Sequence, residues 1–297
     1  MTKTPARPGE DPRHSKFSLN CRGRLLDLEI PVVMGILNLT PDSFYDGGKT
    51  TETTSVLKRA ELMLDQGAAI LDLGAVSSRP GAESIELHEE RSRLIPHLKS
   101  IRREFPDALI SVDTWRSEIA DESADEGASI INDISGGQLD PQIVDVAIRH
   151  SMPYVLMHMP GTPQTMQSHA RYENVALEVM QSIQERMRAY RLKGLRDIII
   201  DPGFGFGKTV SDNFRLLSGL NTFRHLKSPV LVGLSRKSMI HRTLQCTPEE
   251  ALNGTTALNM IALMNGASIL RVHDVREARE CIHLYQMIQH SKTDRSL

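Results

Sequence analysis

At 297 residues the chain is long for one average domain, yet α/β barrels commonly fill ~250 residues as a single unit. Its apolar fraction of 40% and charged fraction of 24% are those of an ordinary soluble globular protein, and 35 basic against 37 acidic residues leave a formal charge of −2. That balance excludes a global basic field for nucleic acid or acidic membranes, so an anionic ligand needs local basic residues.

Met1 to Lys16 is polar and Pro-rich, without the apolar core of a signal peptide, and Glu10 and Asp11 argue against a transit peptide. It reads as a disordered lead-in to a single folded unit over residues 17–297. Cys21, Cys246 and Cys281 are far apart and lack metal-ligand spacing, so they read as reduced thiols of a cytosolic protein. No apolar run approaches the ~20 residues that span a bilayer.

From residue 31 onward short apolar runs recur: Val32–Leu37, Ile70–Leu73, Leu109–Val112, Ser129–Ile131, Tyr154–Met157, Ile198–Ile200, Val230–Gly233 and Ile269–Val272. Runs that are continuous rather than alternating predict strands buried on both faces, as in a parallel sheet. Between them lie segments of helical spacing: Ser55–Gln66, Glu86–Glu104, Trp115–Glu126, residues 141–150, Tyr172–Leu192, Ser211–Leu217, Thr247–Met264 and Val275–Gln289. Gly67, Gly127 and Gly194 stand where C-caps belong, Asp140-Pro141 opens a helix, and Pro96 predicts a kink or a division. Strand and helix alternate about eight times with no linker, which predicts a (β/α)8 TIM barrel rather than a doubly wound sheet. Residues before Pro31 are extra and predict a small hairpin closing the barrel bottom.

In such a barrel the chemistry lies just after each strand. Those positions hold Asn38, Asp72, Ser78 with Arg79, Asp113, Asn132 with Asp133, His158, Asp201, Ser235 with Arg236 and Lys237, and Arg271 with His273 and Asp274. Asp113, Asn132 and Asp72 could equally cap helices, where Asp and Asn are favoured. Asp201 resists that reading, because Pro202-Gly203 follows and no helix starts there. The stretch Asp201-Pro-Gly-Phe-Gly-Phe-Gly-Lys208 offers a carboxylate, two aromatic rings and bare backbone, which suit a planar heterocycle with N–H donors. Asp113, Asn132 and Asp201 together could pair with a guanidine-like edge such as that of a pterin or a guanine.

Gly207-Lys208-Thr209 resembles the end of a P-loop, but that motif needs Gly where Pro202 stands, so it is rejected. Met157-His158-Met159 reads as packing rather than a metal site. Arg271 and His273 fall on one side of an extended segment and could form an anion pocket with Asn38; a salt bridge from Arg271 to a strand-end acid is the alternative. The loops after the first two strands are long and polar, with Asp42, Asp46 and Phe44 in one and Arg79 in the other. They suit mobile lids.

Seven stretches resemble the dihydropteroate synthase family. They are Met34-Gly-Ile-Leu-Asn-Leu-Thr-Pro-Asp-Ser-Phe44, Ser77-Ser-Arg-Pro-Gly81, Ser111-Val-Asp113, Ile131-Asn-Asp133, Asp201-Pro-Gly-Phe-Gly-Phe-Gly-Lys208, Ser235-Arg-Lys-Ser238 and Arg271-Val-His-Asp-Val275, in order from residue 34 to 275. The resemblance implies a (β/α)8 homodimer that joins p-aminobenzoate to hydroxymethyl-dihydropterin pyrophosphate in folate synthesis. It implies that Asp113, Asn132, Asp201 and Lys237 hold the pterin. Asn38, Arg271 and His273 would hold the pyrophosphate, with Mg²⁺ near Asn38 and Asp46. Ser78, Arg79, Pro80, Phe206 and Ser235 would lie around the p-aminobenzoate. The implied chemistry is dissociative, with Asp113, Asp46 and Lys237 nearest the reacting centre. Two departures stand out: Val76 replaces an acid common in the family's second loop, and Pro160 stands where an Arg is common. A corrinoid-dependent pterin methyltransferase domain would share the Asp/Asn/Asp pocket but not Thr40-Pro-Asp-Ser-Phe44 or Ser235-Arg-Lys-Ser238. A silent pterin binder would need no leaving-group pocket.

Overall fold

The computed structural model describes residues 17–39, 49–76, 85–166 and 171–293. A hairpin of β1 (Ser18–Cys21) and β2 (Arg24–Asp27) precedes the sheet. The eight sheet strands follow as β3 (Val32–Asn38), β4 (Ile70–Gly74), β5 (Leu109–Asp113), β6 (Ile130–Asp133), β7 (Tyr154–Met157), β8 (Ile198–Asp201), β9 (Leu231–Val232) and β10 (Ile269–Val272). They pair in parallel in the order β8-β7-β6-β5-β4-β3-β10-β9. A lone parallel bridge, Ile200 to Val230, joins the two ends and closes the (β/α)8 barrel.

Burial on both faces explains the unbroken apolar runs. Outward residues such as Val33, Leu37, Leu71, Leu73, Ile110 and Val112 join the helices in one core. The inward residues of the lower barrel, Met34, Ile70, Ile130, Val155, Ile199, Leu231 and Ile269, form a second core. Leu19, Cys21, Leu26 and Leu28 of the hairpin region complete it, so the expected bottom plug is present.

The helices are α1 (Lys49–Asp65), α2 (Leu87–Glu104), α3 (Ser117–Asp125), α4 (Gln142–Arg149), α5 (Val175–Lys193), α6 (Val210–Ser218), α7 (Ser238–Leu244), α8 (Leu252–Met264) and α9 (Val275–Thr293). Pro96 neither ends nor divides α2. It sits on the exposed side, while Leu94, Ile95, His97 and Leu98 hold the helix to the core. Helix α1 starts before Ser55, through a Thr-rich stretch whose β-branched residues obscure the helical signal. The segment expected as one helix over Thr247–Met264 divides into a 3₁₀ turn, Glu249–Ala251, and α8. Helix α7 and the 3₁₀ segment Leu220–Leu226 were not expected; each is seven residues, too short to show a helical period.

Candidate active site

Register places the inward polar residues of neighbouring strands side by side at the upper end of the barrel. Asn38 pairs with Gly74, Gly74 with Asp113, Asp113 with Asn132, and Met157 with Asp201. One step deeper lies Asp72, which is fully buried. Its carboxylate accepts from Asn132 Nδ2 at 3.1 Å and from Arg271 Nε at 2.7 Å. Arg271 Nη2 reaches on to Asp113 Oδ2 at 2.7 Å. The salt-bridge alternative for Arg271 is therefore realised.

The helix-cap alternative for Asp113, Asn132 and Asp72 is not realised. Arg116 holds the N-cap position of α3 without a side-chain cap, and the Ser117 N–H donates instead to Asp140 Oδ2 at 2.7 Å. Released from capping, the polar ends of Asp113, Asn132 and Asp72 meet inside the mouth.

Burial governs the charges there. It pushes Asp113 up to about 7, with the Arg271 charge opposing. It also raises Asp201, opposed chiefly by Lys237, and it lowers Lys237 to about 8, opposed by Asp201. Burial works against the Arg271 cation too, but Asp72 and Asp113 outweigh it and raise its pKa. His273 is pushed down to about 4 by burial and then by Arg271, so its imidazole is neutral at pH 7. Its Nδ1 lies 2.9 Å from Ser235 Oγ. Three carboxylates (Asp72, Asp113, Asp201) thus face two cations (Arg271, Lys237), leaving acceptor capacity for a ligand edge rich in N–H donors.

The turn after β8 forms one wall of the mouth. Lys237 Nζ donates to the Phe204 carbonyl and lies 4.9 Å from the centroid of the Phe206 ring. Phe206 rests against Met157, Met159 and Met166, a soft apolar surface. Gly205 has φ +83°, and a Cβ there would meet Lys237 Cδ at 3.1 Å, so glycine is needed both for conformation and for approach. Pro160, one of the two departures, packs against Gly207. The next loop is fixed by Arg236, which grips Asp274 with Nε at 3.0 Å and Nη2 at 2.6 Å.

The structure therefore brings together Asp113, Asn132, Asp201, Phe206, Ser235, Lys237, Arg271 and His273, with Asn38 at the end of β3. Asp46, Ser78, Arg79, Pro80 and the lead-in 1–16 lie outside the described residues. His158, read from the sequence as packing, has its Nδ1 3.2 Å from Lys208 Nζ. Two residues seen in the sequence were not given there the roles that the structure gives them. Asp72 was visible as a strand-end acid, two residues before Gly74, and a carboxylate inside a buried run was the available signal. Lys208 was set aside with the rejected P-loop, yet it is only 4% exposed and pins the turn from within.

The model of the family described as "Pterin binding enzyme" matches residues 34–273. The dihydropteroate synthase of Escherichia coli (strain K12) is 43% identical over 281 residues, covering 94% of this chain and 99% of that protein. The dihydropteroate synthase of Xanthomonas albilineans solved with 4-aminobenzoic acid superposes with a TM-score of 0.86 at 37% identity, covering 93% of this chain and 99% of that one. A second structure of that enzyme, in complex with 7,8-dihydropteroate, gives a TM-score of 0.82 at 36% identity, covering 92% and 98% of the two chains.

Proposed function

The chain belongs to the dihydropteroate synthase family, and from that membership we propose that its barrel mouth joins p-aminobenzoate to hydroxymethyl-dihydropterin pyrophosphate, giving dihydropteroate and pyrophosphate in folate synthesis. The observation that carries the reading is the arrangement of half-buried Asp113 with buried Asn132 and Asp201 beside Lys237 and Arg271. Those groups supply acceptors for the pterin N–H edge and donors for its carbonyl. A ligand with N–H donors favours the ionised form of Asp113, whose carboxylate burial alone disfavours.

The reaction is an alkyl transfer to nitrogen. The bond from the pterin methylene carbon to oxygen breaks first, and its electron pair leaves with the pyrophosphate. Asp113, with Asp46 from the first loop, stabilises the pterin cation that remains. Arg271, with Nε and Nη2 held by Asp72 and Asp113, meets the departing charge with its remaining Nη1 donors and its positive charge, and His273 contributes as a neutral donor. The aniline nitrogen of p-aminobenzoate is already uncharged near pH 7, so it attacks the methylene without a strong base and then releases a proton. Ser78, Arg79, Pro80, Phe206 and Ser235 enclose this second substrate. Bound Mg²⁺ supplies neutralisation of the pyrophosphate oxygens. Asn38 would hold it with Asp46; an amide and a carboxylate oxygen suit that hard ion, and Asn38 ends β3 at the level of Gly74 and Asp113.

The same membership supports a homodimer and one pterin-binding unit over residues 17–297, and the three free cysteines support a reducing, cytoplasmic location. No helix among the described residues is long and apolar enough to cross a membrane. The test is product formation: purified protein with p-aminobenzoate, the pterin pyrophosphate and Mg²⁺ should yield dihydropteroate, and chelation of the metal should stop it. Normal pterin binding without product would replace this reading with that of a silent binder.

A further inference from the structure

Lys208 is a buried ammonium for which the reaction has no use. Its Nζ has three donors, and all three are engaged. They reach the Gly203 carbonyl at 2.9 Å, the Phe206 carbonyl at 3.0 Å and His158 Nδ1 at 3.2 Å. Burial, with the Lys208 charge adding to it, pushes His158 down to about 2, so the imidazole is neutral; facing the Lys208 ammonium, its Nδ1 accepts. The His158 proton then sits on Nε2. No carboxylate forms an ion pair with Lys208 within the described residues; burial lowers its pKa to about 7, and Asp201 and then Asp212 oppose that through space.

Removing a cation from water is costly, and a Leu or Met at this position would fill the same space without that cost. The ammonium does what an apolar side chain cannot, which is to tie two carbonyls of one turn together. Gly203 and Phe206 are the ends of that turn, and the Phe206 N–H also donates to the Gly203 carbonyl at 3.1 Å. Gly203 has φ +71°, and a Cβ there would lie 2.0 Å from the His158 carbonyl oxygen, so the turn begins hard against the end of β7. Asn213 Oδ1 accepts from the Gly205 N–H at 2.7 Å and Tyr172 donates to the Gly207 carbonyl at 3.1 Å, so the turn's outer edge is held from α6 and from the segment before α5. Its inner edge is held by Lys208. His158 extends that hold to the end of β7, where its own N–H bonds the Asp201 carbonyl at 3.0 Å.

We propose that Lys208, seated on His158, is a positioning residue that sets the Phe206 turn and with it the wall against p-aminobenzoate. This rests on the dihydropteroate synthase reading of the site. The pterin acceptors come from strands and touch this turn only at its edges, through Gly203 N–H to Asp201 and Lys237 to the Phe204 carbonyl, so the larger effect falls on p-aminobenzoate. Lys208→Met keeps the length and removes the hydrogen bonds. It should raise KM for p-aminobenzoate about tenfold, since displacements of ~1 Å at a substrate wall cost up to about 100-fold. The Kd for the pterin pyrophosphate should stay within about twofold.

A merely structural role would lower the yield of folded enzyme without that selectivity. Acting through Phe206 has a second signature: added to Phe206→Leu, Lys208→Met should raise KM by less than about twofold more, because coupled residues are not additive. An unchanged KM for p-aminobenzoate in Lys208→Met, or two substitutions that multiply in full, would overturn the proposal. If Lys208→Met does not fold, His158→Gln decides: a selective rise in KM supports the proposal and an unaltered KM refutes it. A wild-type protein that makes no dihydropteroate sinks the functional reading and this inference together; an active wild type with an unaffected Lys208→Met variant sinks the inference alone.

Discussion

The lower and upper halves of the barrel are made from the same strands and behave as different materials. Below, Met34, Ile70, Ile130, Val155, Ile199, Leu231 and Ile269 form a dry apolar disc sealed by the hairpin. Two residues further along β4, β8 and β10 the same inward positions carry Asp72, Asp201 and Arg271. A pleat of period two puts both sets on the inner face, so one side-chain layer separates oil-like packing from a charged network. The lower half rewards area removed from water. The upper half holds charges whose cost is offset only while each keeps its partners. Stability and chemistry can therefore be perturbed separately within a few ångströms.

The strongest way to test that separation is at the top. Asp113→Ala should lower kcat by roughly 100- to 1000-fold, the scale of losing one electrostatic contact to a developing charge. Its melting temperature should hold, because Arg271 keeps Asp72; retained turnover, read by product formation, would contradict the role given to Asp113. Asp72 is the residue that joins the two halves of the site, since it holds Asn132 and Arg271 at once. Asp72→Ala removes a partner from a buried pair and should destabilise the fold by ~3–5 kcal/mol in denaturant titration. The milder Asp72→Asn should weaken binding of the pterin pyrophosphate about tenfold, measured by calorimetry; unaltered affinity would mean that Asp72 serves folding alone.

A smaller effect follows from protonation. The folded pKa of Asp113, about 7, lies above its ordinary 3.8. As the acceptor of the pterin it must be ionised, so kcat/KM for the pterin pyrophosphate should fall about tenfold per unit below that midpoint. Asp72→Asn removes a negative neighbour and should move the midpoint downward; a midpoint that does not respond would mean that another group titrates. The stability contribution runs oppositely. A raised carboxyl pKa favours folding fully below 3.8, and that contribution is lost as pH rises through about 7. The smallest effect on activity belongs to the bottom. Leu19→Ala should destabilise by ~2–4 kcal/mol while leaving kcat per folded molecule within about twofold, and a large loss of kcat would show that the halves are not separable.

The fold was legible because parallel strands buried on both faces leave unbroken runs, and because Gly67, Gly127 and Gly194 do take positive φ at the helix ends. The division expected at Pro96 does not occur, because a Pro on the exposed side leaves the buried face of the helix intact, and sequence order does not state which face meets solvent. In the site, the strand-end polar residues were legible as a set, but their partners were not. Whether Asp113 caps α3 or meets Arg271, 158 residues away in sequence, depends on the closure of the whole ring. Lys208 shows the same limit: a Gly-Lys-Thr string suggests an anion ligand, and only the buried turn reveals that its ammonium faces carbonyls. The two long loops read as lids in the sequence, and the residues assigned to them, Asp46, Ser78, Arg79 and Pro80, fall outside the described structure.

The ring is not uniformly sewn. Strand β9 has two residues and meets β8 through one isolated bridge, whereas β3 and β4 share five paired positions. Ladder hydrogen bonds resist opening in proportion to their number, so the cylinder has a seam. That seam lies directly below Asp201 and the Phe206 turn on one side and Ser235 and Lys237 on the other. Amide hydrogens of Ile200, Leu231 and Val232 should exchange faster than those of Gly35 and Leu71, and ligands that bridge the two lips should slow them most. The barrel would then breathe along one line, and the occupant of its mouth would act as the missing stitch.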